Sequence, residues 1–302
     1  MQDLHCNGLS IIVPAYNEEQ GIRLVLRQIV SVVADFHLPW EIIVVDDGSQ
    51  DATASLVQEM GIAKVVQHKS NRGYGAALKS GIRRARFDLI CIIDADGTYP
   101  STRIPDLISR ILDEDLDMVV GARIKEQNAI PMIRRPAKWL LLQLAQWIVN
   151  EQIADLNSGL RVFRRSTVLG FVDLLPDGFS FTTTITLAML TNNYLVAYLP
   201  IEYFPRVGKS KLKPIRDTIN FFHLVLRIAL YFAPMKFFLP ISGILFLLAL
   251  CWAMFGAFVL GRIADASTAV IVMSGVQVAM IGLLAELINK RLLSYKKLDD
   301  DC

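Results

Sequence analysis

The chain has 302 residues, enough for one large domain or two smaller ones, and 53% of them are hydrophobic. Lys and Arg number 31 against 29 Asp and Glu, and a net charge of +2 gives no polybasic character and no case for nucleic acid. The four cysteines, Cys6, Cys91, Cys251 and Cys302, have no paired spacing, which argues against a zinc site or a disulfide framework and fits a reduced, cytosolic setting.

The first two-thirds reads as alternating strands and helices. Residues 9–13 form a short apolar strand ending at Pro14, and 18–33 has helical periodicity through Ile22, Leu26, Ile29 and Val33. A strand at 41–45 ends in Asp46-Asp47-Gly48-Ser49, and a helix at 52–60 follows. Next come a strand at 64–67, a helix at 75–86 and the apolar strand 89–93, which delivers Asp94-Ala95-Asp96. A helix at 104–112 and a strand at 118–120 follow, and an apolar helix at 185–190 comes after a hydroxyl-rich run, Thr182 to Thr184, suited to a helix start. This alternation predicts an α/β fold with a mostly parallel sheet and helices on both faces. No basic region followed by an apolar core opens the chain, so no signal peptide is expected and the leading domain is expected to stay in the cytoplasm.

Three polar groups, Asn17-Glu18, Asp46-Asp47 and Asp94-Asp96, each follow an apolar strand. In an open sheet, strand carboxyl ends converge on the ligand crevice. Two carboxylates one residue apart offer hard oxygens for Mg²⁺ or Mn²⁺, which usually complete their coordination with substrate phosphates. An isolated Asp-x-Asp is more often a solvated loop, so the neighbouring motifs carry the weight. The glycine segment 71–76 precedes a helix and is placed to bring backbone amides near a phosphate. It is neither a Walker loop nor a dinucleotide fingerprint.

The last third differs in kind. Residues 237–260 are apolar and uncharged, and 266–285 nearly so. At about 1.5 Å per residue each is long enough to cross a ~30 Å hydrocarbon core. Lys290, Arg291, Lys296 and Lys297 follow, which predicts a cytoplasmic end and returns the chain to the side where it began. Two further stretches, 138–149 (preceded by Arg134 and Arg135) and 221–232, read as interfacial amphipathic helices, against the plainer reading of core helices. The expected layout is a cytoplasmic catalytic domain at 1–212 and a juxtamembrane helix at 213–236. Two spans at about 237–260 and 266–287, with a short basic tail, complete it.

Together these residues resemble the family 2 glycosyltransferases of the GT-A fold, and more narrowly the dolichyl-phosphate mannose synthase and polyprenyl-phosphate glycosyltransferase group. The matching stretches are VPAYNEE at 13–19, VVDDGS at 44–49, NRGYGA at 71–76 and DAD at 94–96. They continue with VGAR at 120–123, DLNSGLR at 155–161 and RVGKSKL at 206–212. The resemblance implies that Pro14, Tyr16, Glu18 and Asp46 bind the donor nucleotide, and that Asp94 and Asp96 hold Mg²⁺ or Mn²⁺ on its diphosphate. It implies further that Arg206, Lys209 and Lys211 close over the phosphates, and that Arg123 with Arg134 or Arg135 grips the acceptor phosphate. Catalytic weight would fall on Asp96, Asp155 and Arg123, with Asp155 either a base or a residue that orients the acceptor or Arg161. A related segment, at 180–184 here, shapes the donor-sugar and acceptor pocket. Related enzymes often place Leu-Gln after the acidic pair. Gly97-Thr98 stands there instead, which leaves Thr98 to serve through its hydroxyl or through water.

The implied reaction moves a hexose, with inversion, from a nucleotide diphosphate sugar of the GDP-mannose or UDP-glucose class to dolichyl or undecaprenyl phosphate. A processive polysaccharide synthase is the first alternative, but the chain has no Gln-x-x-Arg-Trp motif and two spans make a poor channel. A non-catalytic membrane scaffold of the same fold is the second, opposed by the intact acidic pair and basic segment. Gly243, Gly256, Gly275 and Gly282 would permit close helix packing, including in a homo-oligomer.

Overall fold

The computed structural model describes residues 8–123, 135–205, 230, 233–259 and 266–299. The chain divides into two compact units, Met1–Lys213 and Pro214–Cys302. The described residues of the first form seven strands: β1 (Leu9–Ala15), β2 (Trp40–Asp46), β3 (Lys64–Gln67), β4 (Leu89–Ile92), β5 (Met118–Arg123), β6 (Arg161–Arg164) and β7 (Val196–Ile201). Seven helices accompany them: α1 (Ile22–Val33), α2 (Thr53–Met60), α3 (Tyr74–Arg84), α4 (Ile104–Asp113), α5 (Arg135–Val149), α6 (Arg165–Phe171) and α7 (Phe181–Thr191).

The sheet runs β3-β2-β1-β4-β6-β5-β7. β1 pairs in parallel with β2, from Leu9 opposite Trp40 to Ala15 opposite Asp46, and with β4, from Leu9 opposite Leu89 to Ile12 opposite Ile92. The sheet is mostly parallel; among the described strands only β6 runs antiparallel, against both β4 and β5. Central β1 and β4 are wholly buried, as expected of strands covered on both faces. Side chains alternate along β1. Leu9, Ile11 and Val13 join a core with Ile22, Leu26, Ile29 and Val33 of α1 and Leu107 and Ile111 of α4. Ile12 points the other way, onto Gly81 of α3, where a Cβ would come within 2.5 Å of the Ile12 Cγ2.

Three local differences from the sequence reading have physical causes. α1 begins at Ile22 rather than at residue 18, because Asn17 sits at φ 51° and the Glu18 N–H donates to Thr53 Oγ1 at 2.9 Å. β6 and β7 carry no strand signal that the sequence reading used. β6 is four residues with arginine at both ends, and Pro200 lies in β7, where an edge strand tolerates it. α7 starts at Phe181, so Thr182–Thr184 lie inside it. Their hydroxyls cap nothing, and Thr184 donates back to the Ser180 carbonyl at 2.8 Å.

α5 covers the first stretch expected at the interface. Ala145 and Ile148 are buried and Trp147 is half-exposed, the pattern of an amphipathic helix. The second such stretch, 221–232, lies outside the described residues apart from residue 230.

In the second unit, α8 (Pro234–Val259) and α9 (Ala266–Asp299) pack as a hairpin. α8 and the stretch Ala266–Ile288 are each long and apolar enough to cross a membrane. Their large side chains face outward: Leu247 is 62% exposed and Phe258 84%, which water would penalise and lipid would not. The basic tail expected after the second span continues as helix to Asp299. Gly275 and Gly282 serve the hairpin itself. A Cβ at Gly282 would stand 2.7 Å from the Phe238 Cβ, and one at Gly275 would stand 3.2 Å from the Phe246 ring. Ser242 Oγ donates to the Gly275 carbonyl at 2.8 Å, across the same contact.

Candidate active site

Strand order reverses at β1: the chain lays β2 and β3 on one side, then returns to lay β4 on the other. The crevice outside the carboxyl ends at such a reversal is where open α/β sheets bind ligands. Pro14 is buried within β1, and Tyr16, Asn17 and Glu18 are half-buried just past its end. The loops after β1 and β2 are stitched together. The Asn17 N–H donates to Ser49 Oγ at 2.9 Å, and the Gln50 N–H donates to Asn17 Oδ1 at 2.8 Å. Asp46 is buried at the end of β2 and accepts from the Ser49 N–H at 3.1 Å and from Gln67 Nε2 at 3.3 Å.

Asp47 organises the glycine segment. Its carboxylate accepts the N–H of Arg72 at 2.9 Å and of Gly73 at 2.8 Å, and meets His68 Nδ1 at 2.6 Å. His68 Nε2 in turn reaches Ser80 Oγ at 2.8 Å. Two of the amides expected near a phosphate are therefore turned inward, and the Ala76 N–H goes to the Asp177 carbonyl at 3.0 Å. The glycines permit close packing instead. Gly73 has φ 106°, and a Cβ there would meet the Asp177 carbonyl oxygen at 2.5 Å. Asp47→Ala leaves two backbone donors without their acceptor, at about 1–3 kcal/mol each. Urea denaturation should show a loss of that order, and a loss under about 1 kcal/mol would contradict the assignment.

The reward of this arrangement is Tyr74, the first residue of α3. Its hydroxyl donates to Asp94 Oδ1 at 2.8 Å. Burial, reinforced by the Asp94 charge, raises the Tyr74 pKa well above its ordinary value and keeps it a donor. Asp96 is buried and accepts at Oδ1 from both the Thr98 N–H (3.1 Å) and the Thr98 hydroxyl (2.6 Å). The Thr98 hydroxyl thus orients Asp96. Gly159 completes the cradle: a Cβ there would overlap the Asp94 carboxylate, standing 2.7 Å from its Cγ. The Gly159 N–H donates to the Tyr99 hydroxyl at 2.7 Å.

These residues fit a hard divalent cation. Two carboxylates that follow one strand each accept a bond from a neutral hydroxyl, which fixes their direction. Among the described residues, no cluster of three or more His, Cys, Asp or Glu side chains is placed to hold a metal. Phosphate and water oxygens would supply the rest of the coordination, as Mg²⁺ and Mn²⁺ commonly allow.

Arg123 ends β5 and points its guanidinium edge at Asp155: Nε to Oδ2 is 2.7 Å and Nη2 to Oδ1 is 2.9 Å. Both side chains are buried, at 7% and 6% exposure. Burial raises the Asp155 pKa, but the Arg123 bonds and charge and the Asn157 N–H outweigh it, and the net shift is downward. So placed, Asp155 is held as a carboxylate, and the arginine bonded to it is Arg123. Arg161, fully buried, donates to the carbonyls of Ser158 (2.6 Å) and Thr182 (3.2 Å) and to Thr186 Oγ1 (2.9 Å). A depressed carboxylate pKa stabilises the fold above the unfolded-state value of about 3.9, and that contribution is lost as pH falls through the folded-state value. Asp155→Asn should lower Tm at neutral pH, with the gap to wild type closing in strong acid. A gap independent of pH would contradict a charged pair.

Of the remaining expected site residues, Arg134, Arg206, Lys209 and Lys211 lie outside the described residues. Arg135 begins α5, and its side chain also lies outside them. Sequence reasoning gave no individual role to Tyr74, Asp47, Tyr99 or Gly159, although the first two and Gly159 stand inside motifs it quoted.

A family model described as glycosyl transferase family 2 matches residues 10–169, and one described as the GtrB C-terminal hairpin matches residues 233–290. The second match coincides with α8 and α9, and with their exposed apolar side chains it marks a membrane protein. Dodecaprenyl-phosphate galacturonate synthase from Rhizobium johnstonii is 27% identical over 300 residues, covering 93% of this chain and 88% of that one. Dolichyl-phosphate hexose transferase from Haloferax volcanii is 29% identical over 215 residues, covering 71% of this chain and 90% of that one. Among solved structures, glucosyl-3-phosphoglycerate synthase from Mycobacterium tuberculosis, in complex with Mn²⁺, UDP-glucose and phosphoglyceric acid, superposes with a TM-score of 0.58 at 19% identity. That alignment covers 74% of this chain and 80% of that one and shows a shared GT-A fold. The family 2 match covers the crevice and more than half of the chain, and the protein belongs to glycosyltransferase family 2.

Proposed function

We propose that this enzyme transfers a hexosyl group from a nucleoside diphosphate sugar to a polyprenyl phosphate at the membrane surface, with inversion at the anomeric carbon. The observation that carries the reading is the union, in one chain, of a carboxylate pair at the sheet crevice with a hairpin whose apolar side chains face outward. A water-soluble acceptor needs no such hairpin, whereas a polyprenyl chain lies in the bilayer with its phosphate at the surface. The relatives named for dodecaprenyl and dolichyl phosphate support the same acceptor class.

A phosphate monoester has a second pKa of about 6 and is mostly dianionic at neutral pH. Its oxygen is already a nucleophile, so a strong general base is unnecessary, in keeping with the depressed pKa of Asp155. The phosphate oxygen forms the new bond to the anomeric carbon, the bond to the diphosphate oxygen breaks, and the nucleoside diphosphate leaves with the electron pair. Asp94 and Asp96 would hold Mg²⁺ or Mn²⁺, which when bound offsets charge on the departing diphosphate. Pro14, Tyr16, Glu18 and Asp46 line the nucleotide side of the crevice, and Arg206, Lys209 and Lys211 add cations to the diphosphate. Arg123, its plane fixed by Asp155, binds the acceptor phosphate, together with Arg134 or Arg135. The catalytic unit sits on the cytoplasmic side, on the basic residues after the second span.

The test is transfer by the membrane-embedded protein from radiolabelled UDP- and GDP-sugars to a short polyprenyl phosphate, with Mn²⁺ or Mg²⁺. An organic-extractable product from one donor is expected. Nucleotide binding without any lipid product would overturn the acceptor.

A further inference from the structure

Arg123 is held on a second side. β5 and β7 pair in parallel with Arg123 opposite Ile201, so the register carries the residue two positions on, Tyr203, over the guanidinium. The Arg123 Cζ lies 5.3 Å from the centroid of the Tyr203 ring. The edge of the guanidinium is therefore bound by Asp155 and its face is covered by an aromatic ring. That ring also meets Tyr99 edge-on, at 5.3 Å and 71°. The next residue, Phe204, donates its N–H to the Thr98 carbonyl at 2.9 Å, and Thr98 is the residue that orients Asp96. Tyr203 thus stands between the arginine and the acidic turn, three positions before the basic stretch that begins at Arg206.

We propose that Tyr203 is a positioning residue for the transfer reaction, holding the plane of Arg123 against Asp155 so that the guanidinium meets the acceptor phosphate in one orientation. This rests on the reading of Arg123 as the arginine of the acceptor. A ring face attracts a cation through its quadrupole, so it is the ring that holds Arg123, while the Tyr203 hydroxyl bonds the Thr98 side chain on the donor side.

The experiment is steady-state kinetics of the full chain in vesicles, varying polyprenyl phosphate and donor separately, for Tyr203→Phe, Tyr203→Leu, Arg123→Ala and the double variant Arg123→Ala with Tyr203→Leu. Tyr203→Leu is expected to raise the acceptor KM roughly three- to thirtyfold, the range of one buried cation–ring contact, with the donor KM unmoved. Tyr203→Phe restores the wild-type acceptor KM, and Tyr203→Leu adds nothing once Arg123 is alanine. Tyr203→Met serves the same comparison if the leucine variant does not fold. The proposal alone is overturned if phenylalanine is as damaging as leucine, or if leucine raises the acceptor KM equally in both backgrounds. It is likewise overturned if leucine lowers kcat in step with Tm and leaves the acceptor KM alone. An Arg123→Ala variant with the wild-type acceptor KM instead overturns the reading of Arg123, and the proposal with it.

Discussion

Asp96→Asn should abolish metal-dependent sugar transfer, by about a hundredfold or more, and leave the protein folded. The side chain is buried at the end of β4 and bound through Oδ1 to the N–H and hydroxyl of Thr98. Asparagine keeps the shape and an acceptor oxygen for those two donors, so little of the turn is disturbed. What it removes is the negative charge, and with it the ability to hold a divalent cation on the donor diphosphate. Activity and Tm separate the two effects. A large loss of rate with a Tm within a few degrees of wild type is the expected pair, and a variant that still transfers sugar at the wild-type rate removes the metal from the account.

Gly159→Ala should be nearly as damaging, for a different reason. A single methyl group there would occupy the space of the Asp94 carboxylate, 2.7 Å from its Cγ and 2.8 Å from Oδ1. Either Asp94 swings away, losing the Tyr74 hydroxyl, or the 155–161 segment backs off and loosens the Gly159–Tyr99 bond. Overpacking of this kind typically costs about 1–3 kcal/mol of stability. Because the displaced group belongs to the acidic pair, the loss of transfer should far exceed what partial unfolding explains, about tenfold or more. Weaker binding of Mn²⁺ with the nucleotide should accompany it in calorimetry. Wild-type metal affinity in a folded Gly159→Ala protein would show that Asp94 has room to spare.

The strand ends were readable because each apolar run is bounded by a polar or turn residue, and a run that feeds an acidic pair to a sheet edge signals chemistry at that edge. What the strands do sideways was not readable. β6 carries Arg161, fully buried and satisfied by carbonyls of Ser158 and Thr182, so its charge hides its place inside the sheet, between β4 and β5. The roles of the glycines lie beyond local pattern for a related reason. In Asn71–Ala76 local spacing suggests amides free for a phosphate, yet the acceptor that captures Arg72 and Gly73 is Asp47, brought there only by the fold. Gly159 and Asp94 are 65 positions apart in sequence, and no local pattern announces that one must lack a Cβ for the other. The two long apolar helices were legible because length and apolarity alone decide them, although α8 begins at Pro234 and α9 runs on to Asp299.

The central claim is that a lipid phosphate is the nucleophile, and it is tested most directly by offering the protein two acceptors that differ in that group alone. Transfer of radiolabelled sugar would be measured in vesicles containing either a polyprenyl phosphate or the corresponding polyprenyl alcohol, with the same donor and Mn²⁺. Labelled lipid from the phosphate and none from the alcohol is the predicted result. Equal labelling of both, or labelling of the alcohol alone, would contradict it.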